Sequence, residues 1–166
     1  NHVNFFLDYK FKKIHGFDGS KTATEYAKKK FKKCKKVIIS QQDFNNLKYK
    51  NNYFDLCLDR GSLTHNTKDG MQKIVNDLYL FLKPGGYFFS VLFNSKHYAF
   101  KKNKKNSLAF ANETKTKKGI TTAFYSKNEL KKIFKKFKFV SIVEELKKDH
   151  KRNQRVAAMW QIILKK

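Results

Sequence analysis

Residues 54–93 read FDLCLDRGSLTHNTKDGMQKIVNDLYLFLKPGGYFFSVLF, and this stretch decides the fold. Phe54–Asp59 has the composition of a buried strand that ends in a carboxylate. The apolar residues from Met71 to Leu82 recur at helical spacing, and Lys83-Pro84-Gly85-Gly86 ends that helix because proline cannot continue it. Tyr87–Phe93 is again a buried strand. Strand, helix and strand in this order predict two parallel neighbours joined by a crossover helix.

The segments before this stretch repeat the same alternation. Residues 3–11 have helical apolar spacing, Lys13–Asp18 is a short strand candidate, and Ser20 caps a helix. The face of that helix turned toward the sheet is predicted to carry Ala23, Tyr26, Ala27, Phe31 and Cys34. Val37–Ser40 is a β-branched run of strand length, followed by Gln41-Gln42-Asp43-Phe44 and a polar loop.

The segments after Phe93 close the domain. Lys101–Lys118 is lysine-rich without periodicity, and we interpret it as an irregular insertion. Ser126-Lys127-Asn128-Glu129 has the spacing of a capping box ahead of a further helix. Phe139–Leu146 and Val156–Leu164 form two strands joined by a polar loop. The sequence thus predicts an α/β fold: a doubly wound, mainly parallel sheet with helices on both faces and a C-terminal antiparallel hairpin, in a single domain over residues 1–166.

The composition limits the classes of function. The formal net charge is +25, which favours contact with nucleic acid, yet only three of 38 basic residues are arginine, the residue best suited to bidentate recognition of phosphate and guanine. We therefore favour solvated lysine faces over a dedicated nucleic-acid surface. Cys34 and Cys57 lack the spacing of a zinc site or a disulfide framework, so we expect no metal and a cytoplasmic protein. No apolar run has the length of a membrane span.

Residues at the carboxyl ends of strands are the candidates for ligand binding, because ligands of doubly wound sheets lie beyond those ends. Asp18, Asp43 and Asp59 occupy such positions. An acidic residue that closes the second strand of such a fold can accept hydrogen bonds from both ribose hydroxyls of a nucleoside cofactor, which singles out Asp18. A turn aspartate is the alternative for Asp18 taken alone.

Taken in order, four segments resemble class I S-adenosylmethionine-dependent methyltransferases. They are His15-Gly16-Phe17-Asp18-Gly19-Ser20, Gln41-Gln42-Asp43-Phe44, Tyr53–His65 and Phe81–Tyr87, whose Leu-Lys-Pro-Gly-Gly turn is moderately specific. The resemblance implies the Rossmann-like fold and S-adenosylmethionine as cofactor. It also implies a methyltransferase, which we expect to act on a small molecule; an RNA or other nucleic-acid methyltransferase, a nicotinamide-dependent dehydrogenase and a non-catalytic remnant of the fold are the alternatives.

The resemblance also implies roles for individual residues. Asp18 would bind the ribose with Gly19 and Ser20 beside it, and Asp43 would accept from the adenine amino group with Phe44 near the ring. The residues expected to line the methionine end of the cofactor are Asp59, Arg60 and Gly61.

Beyond these positions the sequence offers candidate bases and one departure from the family. His65 is the candidate general base, with a loop or helix-capping histidine as the alternative. His97 with Tyr98 is a second, weaker pair. The glycine-rich loop of the family is not found before the first helix, and Asn1–Asn4 resembles its tail. We therefore expect the sequence to be part of a longer chain.

Overall fold

The structure of the chain is a computed structural model that describes residues 2–102, 113–115, 121–151 and 154–166. The chain divides into two units, a first unit Asn1–Lys48 and a second unit Tyr49–Lys166. Most of the predicted insertion Lys101–Lys118 lies outside the described residues. Its described parts are the end of a short helix and the short strand Glu113–Lys115.

The first unit is built around two parallel strands. Its elements are α1 (His2–Asp8), β1 (Ile14–Asp18), α2 (Lys21–Phe31), β2 (Val37–Gln41) and a 3₁₀ turn (Phe44–Asn46). Strand β1 pairs with β2 in parallel, with Ile14 opposite Val37 and Asp18 opposite Gln41. The crossover through α2 therefore brings the carboxyl ends of both strands to one edge of this sheet.

The buried face of α2 differs from the predicted one. Ala23 is exposed and Tyr26 is 70% exposed, whereas Thr24 is buried. The Thr24 hydroxyl donates to the backbone carbonyls of Ser20 and Lys21, so burial leaves no polar atom unsatisfied. The prediction was wrong for Ala23 and Tyr26, because it counted only apolar side chains and missed the buried hydroxyl of Thr24. The other predicted residues, Ala27, Phe31 and Cys34, are half-buried. Ser20 caps α2 as predicted, its Oγ accepting from the amide of Ala23 at 3.3 Å.

The second unit holds a four-stranded sheet in the order β3-β4-β8-β7. Strands β3 and β4 pair in parallel, while β8 is antiparallel to both β4 and β7. The predicted α/β fold class and its closing hairpin are confirmed, although both hairpin strands are longer than predicted. The elements of this unit are β3 (Phe54–Arg60), α3 (Lys68–Phe81), β4 (Leu82–Phe93), α4 (Tyr98–Lys102), β5 (Glu113–Lys115), β6 (Thr121–Ala123), α5 (Lys127–Ile133), β7 (Lys138–Asp149) and β8 (Gln154–Lys165).

The core of the second unit lies between the sheet and its helices. The predicted capping box is present, with Ser126 and Glu129 each accepting from the other's backbone amide at the start of α5. Helices α3 and α5 contribute apolar side chains to the core. Strands β4 and β8 contribute apolar side chains from the sheet. The fully buried side chains among these are Met71, Ile74, Val75, Phe88, Leu92, Leu130, Phe134, Ile162 and Leu164.

The turn between α3 and β4 fixes where the second parallel strand begins. Helix α3 ends at Phe81, two residues before the predicted stop, and Leu82 already has extended backbone angles. Gly85 has a φ of +78°, which glycine adopts without steric cost. At Gly86 an added Cβ would lie 2.9 Å from the carbonyl oxygen of Lys83 and 3.2 Å from that of Asp55. The second glycine is therefore required by close backbone approach.

We expect Gly86→Ala to lower the free energy of unfolding by about 1–3 kcal/mol, because the backbone of β3 or of the turn must move to admit the methyl group. Urea denaturation measures the change. Gly19→Ala is the matched control: its Cβ would meet nothing closer than 3.9 Å, so we expect little loss. Equal losses in the two variants would contradict the packing explanation.

Candidate functional site

Asp18 lies at the carboxyl edge of the sheet in the first unit. The side chain is exposed, and its Oδ1 accepts a hydrogen bond from the amide of Ser20 at 2.8 Å. Its Oδ2 has no hydrogen-bond partner within the described ranges. Gly19 follows, and its carbonyl accepts from Gln41 Nε2 at 3.1 Å, which joins the ends of β1 and β2. One carboxylate oxygen thus holds the turn while the other faces solvent.

Asp43 and Phe44 lie at the same edge, just beyond β2. Asp43 is exposed, and its Oδ1 accepts from both the backbone amide and the side-chain amide of Asn45, at 2.9 and 3.0 Å. Phe44 is half-buried. Because β1 and β2 are parallel, the structure brings these two residues and the segment Asp18–Ser20 to one edge. The first unit therefore presents two carboxylates and an aromatic ring beyond its strand ends.

Asp59 occupies the corresponding position in the second unit, near the carboxyl end of β3. Its Oδ2 accepts from the hydroxyl of Ser90 on β4 at 2.8 Å. Its Oδ1 accepts from the amides of Ser62 and Leu63 at 2.9 and 3.3 Å. The carboxylate thus joins the two parallel strands to the turn that follows β3. Gly61 in that turn has a φ of +86°, a conformation that favours glycine.

Burial governs the ionisation of Asp59. Desolvation raises the pKa of this carboxyl group, and the hydrogen bonds from Ser90, Ser62, Leu63 and Gly61 oppose that shift only in part. On the same strand, burial raises the pKa of the Cys57 thiol to about 12, so that thiol is protonated at neutral pH.

His65 projects from the turn that Asp59 holds. Its amide donates to the carbonyl of Ser62 at 3.0 Å, and its Nδ1 lies 3.2 Å from the hydroxyl of Thr122. Backbone pairing ties the same two segments together, since the amide of Ala123 donates to the carbonyl of Thr64 at 2.8 Å. The imidazole is exposed, so it is oriented at one nitrogen and open to solvent elsewhere.

Aromatic rings gather at the carboxyl end of β4. Phe93 stacks on Phe124, with ring centroids 5.6 Å apart and planes at 19°. The His97 ring lies 4.9 Å from that of Phe93 and 5.7 Å from that of Phe124, and Phe100 lies 5.5 Å from Phe124. His65 meets Phe93 edge-on at 6.1 Å. We call Phe93, His97, Phe100 and Phe124 the ring cluster.

The sequence predicted part of this arrangement. It named Asp59, His65 and, as a weaker candidate, His97; the partners Ser90 and Thr122 were missed. Ser90 is 31 residues from Asp59 and Thr122 is 57 residues from His65, and both look like ordinary strand residues. Only their position opposite a carboxylate and an imidazole reveals a role.

Two features of the described residues bear on the class of site. Across residues 2–102, 113–115, 121–151 and 154–166, no group of three or more histidine, cysteine, aspartate or glutamate side chains is placed to hold a metal ion. In the same residues, no helix is both long enough and apolar enough to cross a membrane.

Comparison with known proteins gives one family and many structures. The sequence model of a family described as a methyltransferase domain matches residues 2–86. No curated protein sequence matches the chain.

Three of the similar structures illustrate the match. A protein from Methanosarcina mazei described as an S-adenosylmethionine-dependent methyltransferase has 15% identity and a TM-score of 0.76, covering 98% of this chain and 86% of its own. A Listeria monocytogenes protein described in the same terms has 16% identity and a TM-score of 0.75, covering 99% and 85%. The 1,6-didemethyltoxoflavin-N1-methyltransferase of Burkholderia thailandensis has 16% identity and a TM-score of 0.71, covering 99% and 65%. These likenesses show a shared fold.

The half-buried carboxylate of Asp59 gives a pH-dependent prediction. Because the pKa of Asp59 is raised on folding, its contribution to stability is fully present below the ordinary aspartate pKa of about 3.9 and is lost as pH rises through the raised value. In Asp59→Asn this titration is absent, while the amide oxygen still accepts from the turn and the amide NH₂ can donate to Ser90 Oγ. We therefore expect the unfolding free energy of the wild type, relative to the variant, to fall as the pH rises above about 4.

Urea denaturation of both proteins across that range measures the difference. Parallel profiles would show that Asp59 titrates alike in the folded and unfolded chains. Asp59→Ala separates charge from hydrogen bonding, since it leaves the turn amides and the Ser90 hydroxyl without their acceptor. It should be less stable than Asp59→Asn at every pH.

Proposed function

The chain belongs to the methyltransferase-domain family, with S-adenosylmethionine as its methyl donor, and we propose that it transfers the methyl group to a small-molecule acceptor. The observation that carries the choice of a small molecule is the chemical character of the carboxyl end of β4. Phe93, His97, Thr122 and Phe124 there are aromatic or neutral, and the nearby Lys96 is paired with Glu144. A nucleic-acid site would instead present cations to phosphate.

The lysine distribution of the first unit supports the same choice. Seven lysines lie in the nine residues Lys28–Lys36, at the end of α2 and just before β2. They therefore lie at the amino end of β2, opposite to the edge that carries Asp18 and Asp43. The densest positive charge of this unit is thus separated from its candidate cofactor residues.

The residues at the edge of the first unit fit the nucleoside part of the donor. Ribose hydroxyls are hydrogen-bond donors, and Asp18 presents a solvent-facing carboxylate oxygen for them. Asp43 is equally exposed and can accept from an exocyclic amino group, with the half-buried Phe44 beside it for ring packing. Gly19 and Ser20 shape the turn next to the ribose. When bound, S-adenosylmethionine supplies an activated methyl group.

In the second unit we propose two roles. Asp59, Arg60 and Gly61 line the methionine end of the donor; Asp59 does so mainly by holding the turn, because both of its oxygens are already bonded within the protein. His65 acts as the general base where the acceptor must lose a proton. The Thr122 contact at Nδ1 leaves Nε2 to face the acceptor.

One similar structure supports a small acceptor. The Burkholderia thailandensis enzyme contains bound 1,6-didemethyltoxoflavin together with S-adenosylhomocysteine.

We expect Asp18→Asn to weaken S-adenosylmethionine binding by roughly 10- to 100-fold, since hydrogen bonds to a charged group contribute about 1.5–3 kcal/mol each. The substitution is chosen because the remaining oxygen still accepts from the Ser20 amide, so the turn is kept. Calorimetric titration of the 166-residue chain measures the affinity, with S-adenosylhomocysteine and NAD as comparison ligands.

Asp8→Asn is the matched control, since Asp8 is an exposed aspartate of the same unit and lies outside the strand edge. The affinity of Asp8→Asn for S-adenosylmethionine should equal that of the wild type. Unchanged binding in Asp18→Asn would refute the ribose assignment, and binding of NAD in preference to the sulfonium ligand would refute the choice of donor.

The acceptor class is tested by transfer of a tritiated methyl group. The chain and labelled S-adenosylmethionine are incubated separately with the small-molecule fraction of a cell extract and with total RNA. We expect label in the small-molecule fraction and a rate about 10²–10⁴-fold lower in His65→Gln, the range typical of losing a general base. Label in RNA alone would establish the nucleic-acid alternative.

A further inference from the structure

Building on the proposed function, we infer that the acceptor is a planar aromatic or heteroaromatic molecule that packs against the ring cluster and accepts a hydrogen bond from His97. The inference names the chemical class that the small-molecule site takes. It rests on the packing of the rings and on the surroundings of one histidine.

The ring cluster has a buried base and partly open rings. Phe124 is 1% exposed and stacks nearly parallel to Phe93, whereas Phe93 and Phe100 are only half-buried. Aromatic pairs prefer offset-stacked or edge-to-face geometry, which adds stabilisation beyond the burial of apolar area. A further flat ring can therefore extend the stack on the open part of Phe93, where an aliphatic molecule would gain only burial.

His97 supplies a directional polar group in these apolar surroundings. It is 8% exposed, and its Nδ1 accepts from the amide of Ala99 at 3.2 Å. In the neutral ring the proton is then on Nε2, and desolvation lowers the pKa of His97, which favours that neutral form. Nε2 has no hydrogen-bond partner in the part of the chain that the structure describes. An N–H group in these apolar surroundings can donate to a ligand that brings an acceptor atom.

One lysine beside the ring cluster is already paired. Lys96 lies 2.8 Å from the Glu144 carboxylate, and Asn94 donates to the same carboxylate at 2.7 Å. The pairing offsets the positive charge of Lys96, which removes one attraction that an anionic ligand would find there.

The position of the ring cluster fits transfer chemistry. Phe93 lies three residues after Ser90, the hydroxyl partner of Asp59 on the same strand. The edge contact between Phe93 and His65 places the proposed base against one member of the cluster. A ring stacked on Phe93 would thus present its substituents near His65.

The test uses three neutral probes that differ in one property each. Quinoline is planar and carries an acceptor nitrogen, naphthalene is planar without an acceptor, and cyclohexanol carries an acceptor without a flat ring. Saturation-transfer difference NMR titrations of the 166-residue chain, with and without S-adenosylhomocysteine, give their dissociation constants. We expect quinoline to bind roughly three- to tenfold more tightly than naphthalene, and cyclohexanol to bind weakest.

Two variants separate stacking from hydrogen bonding. His97→Asn keeps an oxygen near the Nδ1 position for the Ala99 amide but removes the Nε2 donor, so it should abolish the preference for quinoline over naphthalene. Phe93→Leu should weaken both planar probes by roughly three- to tenfold. Tyr87→Leu is the matched control, since Tyr87 is a partly exposed ring on the same strand, and it should change neither. Circular dichroism verifies that each variant is folded.

Cyclohexanol binding as tight as quinoline, or equal effects of Tyr87→Leu and Phe93→Leu, would overturn the inference. The wild-type comparison of probes decides the question even if a variant fails to fold. Calorimetry with S-adenosylhomocysteine separates the proposed function from the inferred acceptor class. Cofactor binding without quinoline binding refutes the acceptor class alone. Quinoline binding that depends on Phe93, in a chain that binds no cofactor, leaves the aromatic site standing and refutes the proposed function.

Discussion

The second unit depends on a half-buried carboxylate whose two oxygens are both hydrogen-bonded within the protein. Asp59 accepts from the Ser90 hydroxyl across the parallel strand pair and from two amides of the following turn. A carboxylate that loses part of its hydration is stabilised by hydrogen bonds to its oxygens, so strand and turn must stay in register for the group to remain satisfied. The same hydrogen bonds hold the turn that carries His65 and so fix the position of its side chain. Strand pairing and placement of the candidate base are therefore consequences of one group of hydrogen bonds.

Local patterns in the sequence predicted most of the elements. The Phe54–Asp59 strand, the Ser126 capping box and the closing hairpin were all confirmed, because each depends on periodicity or on capping chemistry within a few residues. The predictions fail where tertiary contacts determine burial or the end of a helix. Tyr26 has the right spacing for a buried face but is exposed, and α3 ends at Phe81, where Leu82 turns extended ahead of the proline.

The candidate site likewise contains residues that local sequence could predict and residues that only tertiary contacts reveal. The strand-end aspartates could be named from sequence, since strand ends and carboxylates are both local features. The partners of these residues could not, because Ser90 and Thr122 lie far away along the chain and have unremarkable neighbours in sequence. The ring cluster was invisible for a related reason. Phenylalanine is common throughout this chain, and nothing local distinguishes the ring that stacks on Phe124 from the many that fill the core.

The backbone bond between Ala123 and Thr64 has an evolutionary consequence. It joins the short segment that carries Thr122 and Phe124 to the His65 turn through main-chain atoms alone. Side chains at 122 and 124 can therefore be replaced without breaking this main-chain link, while the proposed cofactor residue Asp18 belongs to other strands. On the proposed function, a few substitutions in one stretch change the acceptor and leave the proposed cofactor residues in place.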